Sequence, residues 1–305
     1  MTYALASIAH QGKLRAAIKI GQKLWILAMA AKQLGENALP EQLIGIFQNW
    51  SESQVILRRI AAAAAAGDLA DFALDEHDVE FALPLQYPNK VFCVGANYAD
   101  HLKEMGVVMD KVEGRSPFFF VKPASTCLTG PGKSVHRPAG CNDFDWEVEV
   151  VVVFGRGGKN ISPEKALEHI AGYTLGIDFT ARDQFLAPHL PFNYDFALGK
   201  CQDKGTPIGP VIVPTDFVNG QNIHFSLSVN GVKKQQGCTA DMVYSLAEQI
   251  AGISRAISIE PGDIMFTGSP AGVGAASGES LAIGDRVVVE AEIIGRMEVV
   301  IQPPL

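Results

Sequence analysis

The sequence has few cysteines, fewer basic than acidic residues and no long apolar run. Its five cysteines are scattered, and no two form a CxxC pair, which argues against zinc and favours a reduced compartment, with the cytoplasm as the expected location. The net charge of -8 disfavours nucleic acid and anionic membranes as partners. No apolar run approaches the ~20 residues of a membrane span. The first residues are too polar to predict a signal peptide.

The composition is that of a folded protein with enough apolar material for a large core. The 305 residues are 48% hydrophobic, which suits one large domain or a large domain with a small attachment. Residues 3–29 alternate around glycine turns and predict antiparallel strands. Residues 35–66 have helical spacing and end in an alanine run before Gly67. We therefore predict a small α+β domain over residues 1–86 and a larger domain over residues 87–305.

The stretch DFDWEVEVVVVFG, residues 143–155, is the centre of the larger domain. In a β-strand, residues two apart share a face. The acidic residues fall in one register and the apolar residues in the other: Asp143, Asp145, Glu147 and Glu149 against Phe144, Trp146, Val148 and Val150. The strand then becomes wholly apolar, which is typical of a strand that is buried on both faces.

These carboxylates predict a metal site. No Lys or Arg occurs between positions 137 and 156, and a buried carboxylate without a countercharge costs several kcal/mol. A hard divalent cation with oxygen ligands would supply that charge, and Glu147 and Glu149 are the favoured pair of ligands. The alternative is an edge strand whose acidic face lies in water. Asp143 and Asp145 lie nearer the mouth of the strand, where exposure is the simpler expectation.

A second titratable pair follows the short apolar strand KVFCVG. In ANYADHLKEMG, His101 and Glu104 are three residues apart and would share one face of a helix. A carboxylate beside an imidazole orients the ring and raises its basicity, which suits a general base. An ordinary surface pair is the alternative. The polar segment from Met105 to Ser116 follows directly and is a candidate mobile cover.

Local sequence alone does not decide the roles of two further candidate site residues, Asp178 and Lys200. Asp178 lies among apolar neighbours in TLGIDFTARD and is either a third buried acid or a turn residue. Lys200, in a glycine-flanked turn, either holds an anion or is solvated. The aromatic and proline-rich residues 184–196 are candidates for lining a pocket. The GPGKS sequence lacks the first glycine of a phosphate loop, where Cys127 stands, so nucleotide binding is rejected.

The larger domain is rich in short strands separated by glycine turns, with about three helices between them. This pattern favours an α+β fold that is mainly β, with a closed or folded-over sheet rather than a parallel one.

Six motifs, in this order, resemble those of the fumarylacetoacetate hydrolase family: VGANYADHLKE, PFFFVKP, DFDWEVEVVVVFGR, AGYTLGIDFTARD, GKCQDKGTPIGPVIV, and NGVKKQQGCTADM through EPGDIMFTGSPAGVG. The resemblance runs from about Lys90 to the C-terminus. It implies a mixed β-sandwich roll with a folded-over, barrel-like sheet and a smaller, variable N-terminal domain. It also implies a homodimer.

The resemblance implies roles for individual residues. The metal, Mg²⁺ or else Mn²⁺ or Ca²⁺, would be held by an ExE motif and a following aspartate, here Glu147, Glu149 and Asp178. The catalytic residues would be His101 and Glu104, on a segment that orders when substrate binds, together with Lys200. The substrate contacts would come from Arg182, Thr267 and Ser269. For Arg182, structural support of Asp178 is an equal alternative.

The implied activity is metal-dependent hydrolysis of a carbon–carbon bond in a small-molecule 2-oxo or 2,4-dioxo acid, through an enolate that the cation stabilises. The alternative is decarboxylation, isomerisation or hydration of a 2-oxo acid on the same metal platform. This chain departs from the family pattern at Phe185, where small members often have glutamine, at Cys201, where serine is common, and at Ser269 in place of threonine. These departures lie around the expected pocket and leave the substrate open.

Overall fold

The computed structural model describes residues 2–106, 111 and 116–305. Up to residue 81 the strands and α-helices are β1 Ala4–His10, β2 Lys13–Ile20, β3 Lys23–Ile26, α1 Leu27–Gln33, α2 Leu43–Gln48, α3 Trp50–Ala66, β4 Leu74–Asp75 and β5 Glu80–Phe81. The chain then continues with β6 Val91–Val94, α4 Ala99–Glu104, β7 Phe119–Lys122, α5 Ala124–Cys127, β8 Leu128–Thr129, β9 Ser134–His136, β10 Phe144–Asp145 and β11 Val148–Phe154.

The remaining elements are α6 Pro163–Ala166, β12 Ile170–Ile177, β13 Thr180–Ala181, α7 Arg182–Phe185, α8 Phe196–Lys200, β14 Thr206–Pro214, β15 His224–Val229, β16 Val232–Cys238, α9 Leu246–Ala256, β17 Ile264–Phe266, α10 Gly274–Ser277, β18 Arg286–Ala291 and β19 Gly295–Gln302. Short 3-10 helices lie at Ala70–Phe72, Glu76–Asp78, Leu167–His169, Thr215–Phe217 and Thr239–Asp241.

The strands form a large sheet, a smaller sheet and a two-stranded ribbon. The large sheet has the order β4-β3-β2-β1-β14-β12-β11-β17-β6-β7, with β5 beside β1 and β8 beside β14. The smaller sheet has the order β16-β15-β18-β19-β9, and β10 pairs with β13. The predicted fold, α+β and mainly β, is confirmed. Closure into a barrel is not seen in the described residues, because β4 and β7 end the large sheet and do not pair with each other.

Strand β11 lies in the middle of this architecture and is buried along its whole length. Val150 and Val152 pack into a core shared with the smaller sheet and α9. Val151 and Val153 pack into a second core, which helices α1 to α3 cover. The alternation confirms a strand buried on both faces. Glu147 and Glu149 have the same parity as Val151, so the acidic face continues the helix-covered face of the sheet.

The N-terminal strands extend the large sheet instead of forming a separate one. Strand β1 pairs with β14 at Leu5 and Ile212. The predicted hairpins are present, but β3 ends at Ile26, earlier than expected, because the following Leu-Ala-Met-Ala-Ala run consists of good helix formers and opens α1. No described helix combines the length and apolar character that a membrane-spanning segment requires.

The amphipathic segment TADMVYSLAEQIAGISRAIS predicts a helix capped by Thr239, but α9 begins later, at Leu246. Its N-cap is Ser245, whose hydroxyl accepts from the Glu248 N–H in a capping box. Thr239 was the expected cap, but its hydroxyl accepts instead from the Ile223 N–H at 2.8 Å. Most of the candidate cover between Met105 and Ser116 lies outside the described residues. The domain boundary at residue 86, the homodimer and the cytoplasmic location stay predictions.

Candidate active site

Two neighbouring strands bring three carboxylates together. Strands β11 and β12 pair with Val148 opposite Ile177, and the Asp178 N–H donates to the Glu147 carbonyl at 2.8 Å. The next residue outward on each strand is therefore Glu147 on one and Asp178 on the other. Glu149 lies two residues along β11 on the same face. Each of the three offers one oxygen, and these oxygens lie within 4.8 Å of one another. All three residues are buried.

Basic side chains from distant parts of the chain surround this acidic triad of Glu147, Glu149 and Asp178. The Lys200 ammonium donates to Glu147 at 2.8 Å and to Asp178 at 2.9 Å. The Lys122 ammonium donates to the other oxygen of Asp178 and, at 3.0 Å, to the Thr206 hydroxyl. The lack of a Lys or Arg near the acidic strand in sequence therefore did not mean a lack of countercharge in space. Lys200 is the buried last residue of α8, not a solvated turn residue.

Arg182 is buried and holds two carboxylates at the edge of the triad. Its Nε donates to Asp145 at 2.8 Å and its NH2 group donates to Glu147 at 2.6 Å. Support of Asp178, the alternative to substrate contact for Arg182, is not seen, because the guanidinium hydrogen-bonds to Asp145 and Glu147 instead. The Arg182 N–H donates to the Asp143 carbonyl and so holds the start of α7 beside β10. Asp145 was expected to be exposed. It is fully buried, because it also accepts from the N–H groups of Gly274 and Ala275 that open α10.

The two glutamates differ in their electrostatic environment. Burial disfavours charge on Glu147, but the nearby Lys200 and Arg182 charges outweigh it and lower the Glu147 pKa. Burial raises the pKa of Glu149 well above its ordinary value, and the negative charges of Asp178 and Glu147 raise it further. Among the described residues Glu149 has no basic hydrogen-bond partner and accepts only from the Gly268 N–H, at 2.6 Å.

This donor set fits a divalent cation. Three converging carboxylate oxygens are the ligands that Mg²⁺, Mn²⁺ and Ca²⁺ prefer. One of the three, Glu149, lacks the countercharge that the other two have. Glu147, Glu149 and Asp178 would hold the ion.

Metal binding is expected to release a proton from Glu149. Its raised pKa keeps the carboxyl protonated to a higher pH than usual, and a cation must displace that proton. Apparent affinity for Mn²⁺ should therefore fall as pH falls. Calorimetric titration with Mn²⁺ in two buffers of different ionisation enthalpy should show net proton release on binding. Glu149→Gln should release close to none. A wild-type protein that binds Mn²⁺ with no proton release throughout mildly acidic pH would contradict this expectation.

The predicted pair His101 and Glu104 lies on α4 beside the triad. The ring N–H at Nδ1 of His101 donates to Glu104 Oε1 at 2.7 Å. The other oxygen of Glu104 accepts from the Gly272 N–H at 2.8 Å, so the carboxylate is held between α4 and the glycine-rich loop, residues 267–273, which follows β17. His101 lines the same pocket as the triad. With Nδ1 engaged, Nε2 is the ring nitrogen that can take a proton.

The pocket has a volume of about 370 Å³, which suits a small organic acid. Its polar part is formed by the triad with His101, Arg182, Lys200 and Ser269. Its remaining wall is largely aromatic. The prediction that residues 184–196 line a pocket is confirmed by three of their side chains: Phe185, Tyr194 and Phe196.

The two residues predicted from the glycine-rich loop occupy different places. Ser269 lines the pocket, where its hydroxyl donates to the Val148 carbonyl at 3.0 Å. Thr267 is fully buried and donates to the Val150 carbonyl at 2.8 Å, and it is not among the described residues that line the pocket. Substrate contact by either residue stays a prediction.

Known proteins resemble this chain in sequence and in fold. Residues 90–302 match the family described as fumarylacetoacetate (FAA) hydrolase, C-terminal. The human protein oxaloacetate tautomerase FAHD2A, mitochondrial, is 35% identical over 260 residues, which are 84% of this chain and 78% of that protein. The corresponding protein of Bos taurus is 34% identical over 263 residues, which are 85% of this chain and 79% of that protein.

Solved structures with a similar fold include proteins of the same family. Fumarylacetoacetate hydrolase from Exiguobacterium antarcticum is 29% identical with a TM-score of 0.80, covering 99% of this chain and 100% of its own. Fumarylpyruvate hydrolase from Pseudomonas aeruginosa, solved in complex with Mn²⁺ and pyruvate, is 31% identical with a TM-score of 0.63, covering 73% of this chain and 92% of its own. Because the family match spans more than half of the chain and includes the triad and the His101–Glu104 pair, this protein belongs to the fumarylacetoacetate hydrolase family of enzymes.

Proposed function

We propose that the protein is a divalent-metal-dependent hydrolase that cleaves a carbon–carbon bond of a 2,4-dioxo acid, with Mg²⁺ or Mn²⁺ as its ion. The observation that carries the proposal is that His101, oriented by Glu104, faces the same pocket as three converging carboxylates. A substrate bound in this pocket would therefore contact both the base and the candidate cation site. The Mn²⁺ and pyruvate in the related fumarylpyruvate hydrolase support this pairing.

A divalent cation bound by Glu147, Glu149 and Asp178 would polarise the 2-oxo group of the substrate and offset its negative charge. The chain itself supplies the proton transfers. Nε2 of His101 takes a proton from water, and the hydroxide adds to the carbonyl carbon C4. Glu104 keeps the imidazole in the productive tautomer and stabilises the imidazolium.

The C3–C4 bond then breaks and its electron pair stays on C3. The acyl half leaves as a carboxylic acid, and the His101 imidazolium returns its proton to C3, which completes pyruvate. One water is consumed, and the acid ionises in solution. The Lys200 ammonium has three N–H donors, of which Glu147 and Asp178 engage two. Its third N–H can stabilise negative charge that develops on substrate oxygen, as preorganised donors do.

A second function, keto–enol tautomerisation of a 2-oxo acid, is favoured by the names of the relatives that are 34% and 35% identical. The same base would remove a proton from C3, and protonation of the 2-oxygen would give the enol. This reaction needs no water in the pocket.

Acetylpyruvate separates the two functions. With Mg²⁺ or Mn²⁺ we expect one pyruvate and one acetate per acetylpyruvate consumed, measured by a coupled pyruvate assay and by ion chromatography. Chelation should abolish turnover and added metal should restore it. Metal-free protein with the same buffer is the control. The hydrolase proposal fails if acetylpyruvate and longer acylpyruvates yield no pyruvate while the enol of oxaloacetate disappears faster than in buffer.

A further inference from the structure

We infer that the substrate of this pocket carries a single carboxylate and an apolar, ring-sized tail, which packs against an aromatic wall formed by Phe118, Phe120, Phe185, Tyr194 and Phe196. The inference deepens the proposed function and rests on it for the acid end of the molecule, which lies at the acidic triad. It sets this chain apart from relatives that are named for oxaloacetate or fumarylpyruvate, because those substrates carry a second carboxylate.

The aromatic wall is built around one ring. The Phe196 ring centroid lies 4.9 Å from that of Phe185 and 5.3 Å from that of Phe120. It lies 5.7 Å from Phe118 and 6.4 Å from Tyr194. These are the separations at which aromatic rings attract one another. Two separate segments, the start of β7 and the stretch from α7 to α8, supply the five rings.

Two glycines let these rings lie close to the backbone. A Cβ on Gly95 would lie 2.9 Å from the Phe118 ring, and a Cβ on Gly199 would lie 2.4 Å from Phe185. Both distances are shorter than real contacts allow. Gly199 also directly precedes Lys200 in α8, so one short helix contributes both to the aromatic wall and to the charged part of the pocket. The rings are thus held against the site itself.

The wall is open to a ligand. Phe118 and Tyr194 are each 50% exposed, and all five rings line the pocket that contains the triad. A cluster of half-exposed aromatic rings that is continuous with a polar site is typical of a surface that an apolar group covers on binding. The tail of a substrate held at the triad is the occupant that this continuity indicates.

The charges at the pocket argue against a second carboxylate. Of the basic residues that the structure describes there, Arg182 is engaged by Asp145 and Glu147, Lys200 by Glu147 and Asp178, and His101 by Glu104. The donor that these pairs leave free among the described residues, the third N–H of Lys200, lies at the acid end of the pocket beside Glu147 and Asp178, so a second carboxylate at the aromatic wall would face rings without a described cation. Desolvation of an unpaired carboxylate is strongly unfavourable, whereas the same wall stabilises a phenyl ring.

Binding of two acids that this chemistry cannot cleave tests the inference independently of the reaction. The test compounds are 4-phenyl-2-oxobutanoate and 2-oxoglutarate, which share the 2-oxo acid end and differ in the tail, and calorimetry on the Mn²⁺-loaded protein measures their affinities. The phenyl acid is expected to bind about 10- to 200-fold more tightly. Equal affinity, or tighter binding of 2-oxoglutarate, would overturn the inference even if acylpyruvates are hydrolysed.

A pair of variants tests the wall itself. Phe196→Ala should reduce the preference for the phenyl acid by about 10-fold or more and leave the affinity for 2-oxoglutarate within about twofold. Phe118→Ala, at a half-exposed position, provides the same test if Phe196→Ala folds poorly. The matched control is Phe192→Ala, which removes a ring that is 85% exposed and does not line the pocket. Loss of affinity for both acids alike, or a change only in sedimentation mass, would show that the wall packs against protein instead.

Discussion

Replacement of His101 by alanine is expected to lower kcat by about 10²- to 10⁴-fold, the usual contribution of a general base. The one described hydrogen bond of the His101 side chain is to Glu104, on the same helix. The acidic triad and its basic partners are untouched, so Mn²⁺ affinity should stay within a few fold. Steady-state kinetics on an acylpyruvate and calorimetric Mn²⁺ binding measure the two effects separately.

Rescue distinguishes a catalytic loss from a structural one. Imidazole added to His101→Ala should restore part of kcat, because the small base can occupy the space that the ring leaves beside Glu104. His224→Ala, which removes an exposed histidine on β15, is the matched control and should retain full activity without imidazole. A His101→Ala enzyme that keeps more than about a tenth of kcat would remove His101 from the mechanism.

Glu104 acts through His101 in this scheme, so the losses of kcat caused by Glu104→Gln and His101→Ala should not add. Glu104→Gln should lower kcat less than His101→Ala does, because the one amide oxygen can still accept from the ring, although the NH2 group that replaces the second oxygen cannot accept from the Gly272 N–H. The double variant should be no slower than His101→Ala alone. Additive losses would show that Glu104 has a role of its own.

The sequence predicted the parts of this site that depend on local periodicity. The period of two placed Glu147 and Glu149 on one strand face, and the spacing of three placed His101 beside Glu104 on a helix. Asp178 was ambiguous from local sequence. Its position depends on strand register, with Val148 opposite Ile177, which only the pairing of β11 with β12 fixes.

The countercharges could not be found in the same way. Lys122 and Asp178 are 56 residues apart, and Lys200 and Glu147 are 53 apart. A search for basic residues near the acidic strand in sequence therefore misses them. One signal was present for Lys122: it ends the aromatic strand PFFFVKP, where a lysine must be paired or must reach solvent. Phe118 and Phe120, two apart in that strand, were likewise a signal for one aromatic face.

Lys122→Met is expected to lower the free energy of unfolding of the metal-free protein by up to about 3–5 kcal/mol, the cost of removing one partner from a buried ion pair. Lys200 still pairs with the other oxygen of Asp178 and limits the loss. The Lys122 side chain is fully buried and Asp178 is nearly so. Burial opposes the ammonium form, but Asp178 outweighs it and raises the Lys122 pKa above the ordinary 10.5. A raised lysine pKa stabilises the fold fully below the unfolded value and loses that effect only as pH rises through the folded value. The free energy of unfolding that Lys122→Met loses should therefore be the same from mildly acidic to mildly alkaline pH.

Urea denaturation with and without Mn²⁺ measures the effect and links it to the candidate metal site. Lys133→Met is the matched control and should change nothing measurable, because the Lys133–Glu80 pair is exposed. A cation at the triad supplies the countercharge that Asp178 loses, so Mn²⁺ should stabilise Lys122→Met more than it stabilises the wild type. At one fixed Mn²⁺ concentration, about 100 times the wild-type Kd, the wild type gains about 2.7 kcal/mol, and tighter binding by Lys122→Met gives a larger gain. A gain on Lys122→Met no larger than that on the wild type would mean that Asp178 is neutralised by Lys200 alone and does not contact the cation.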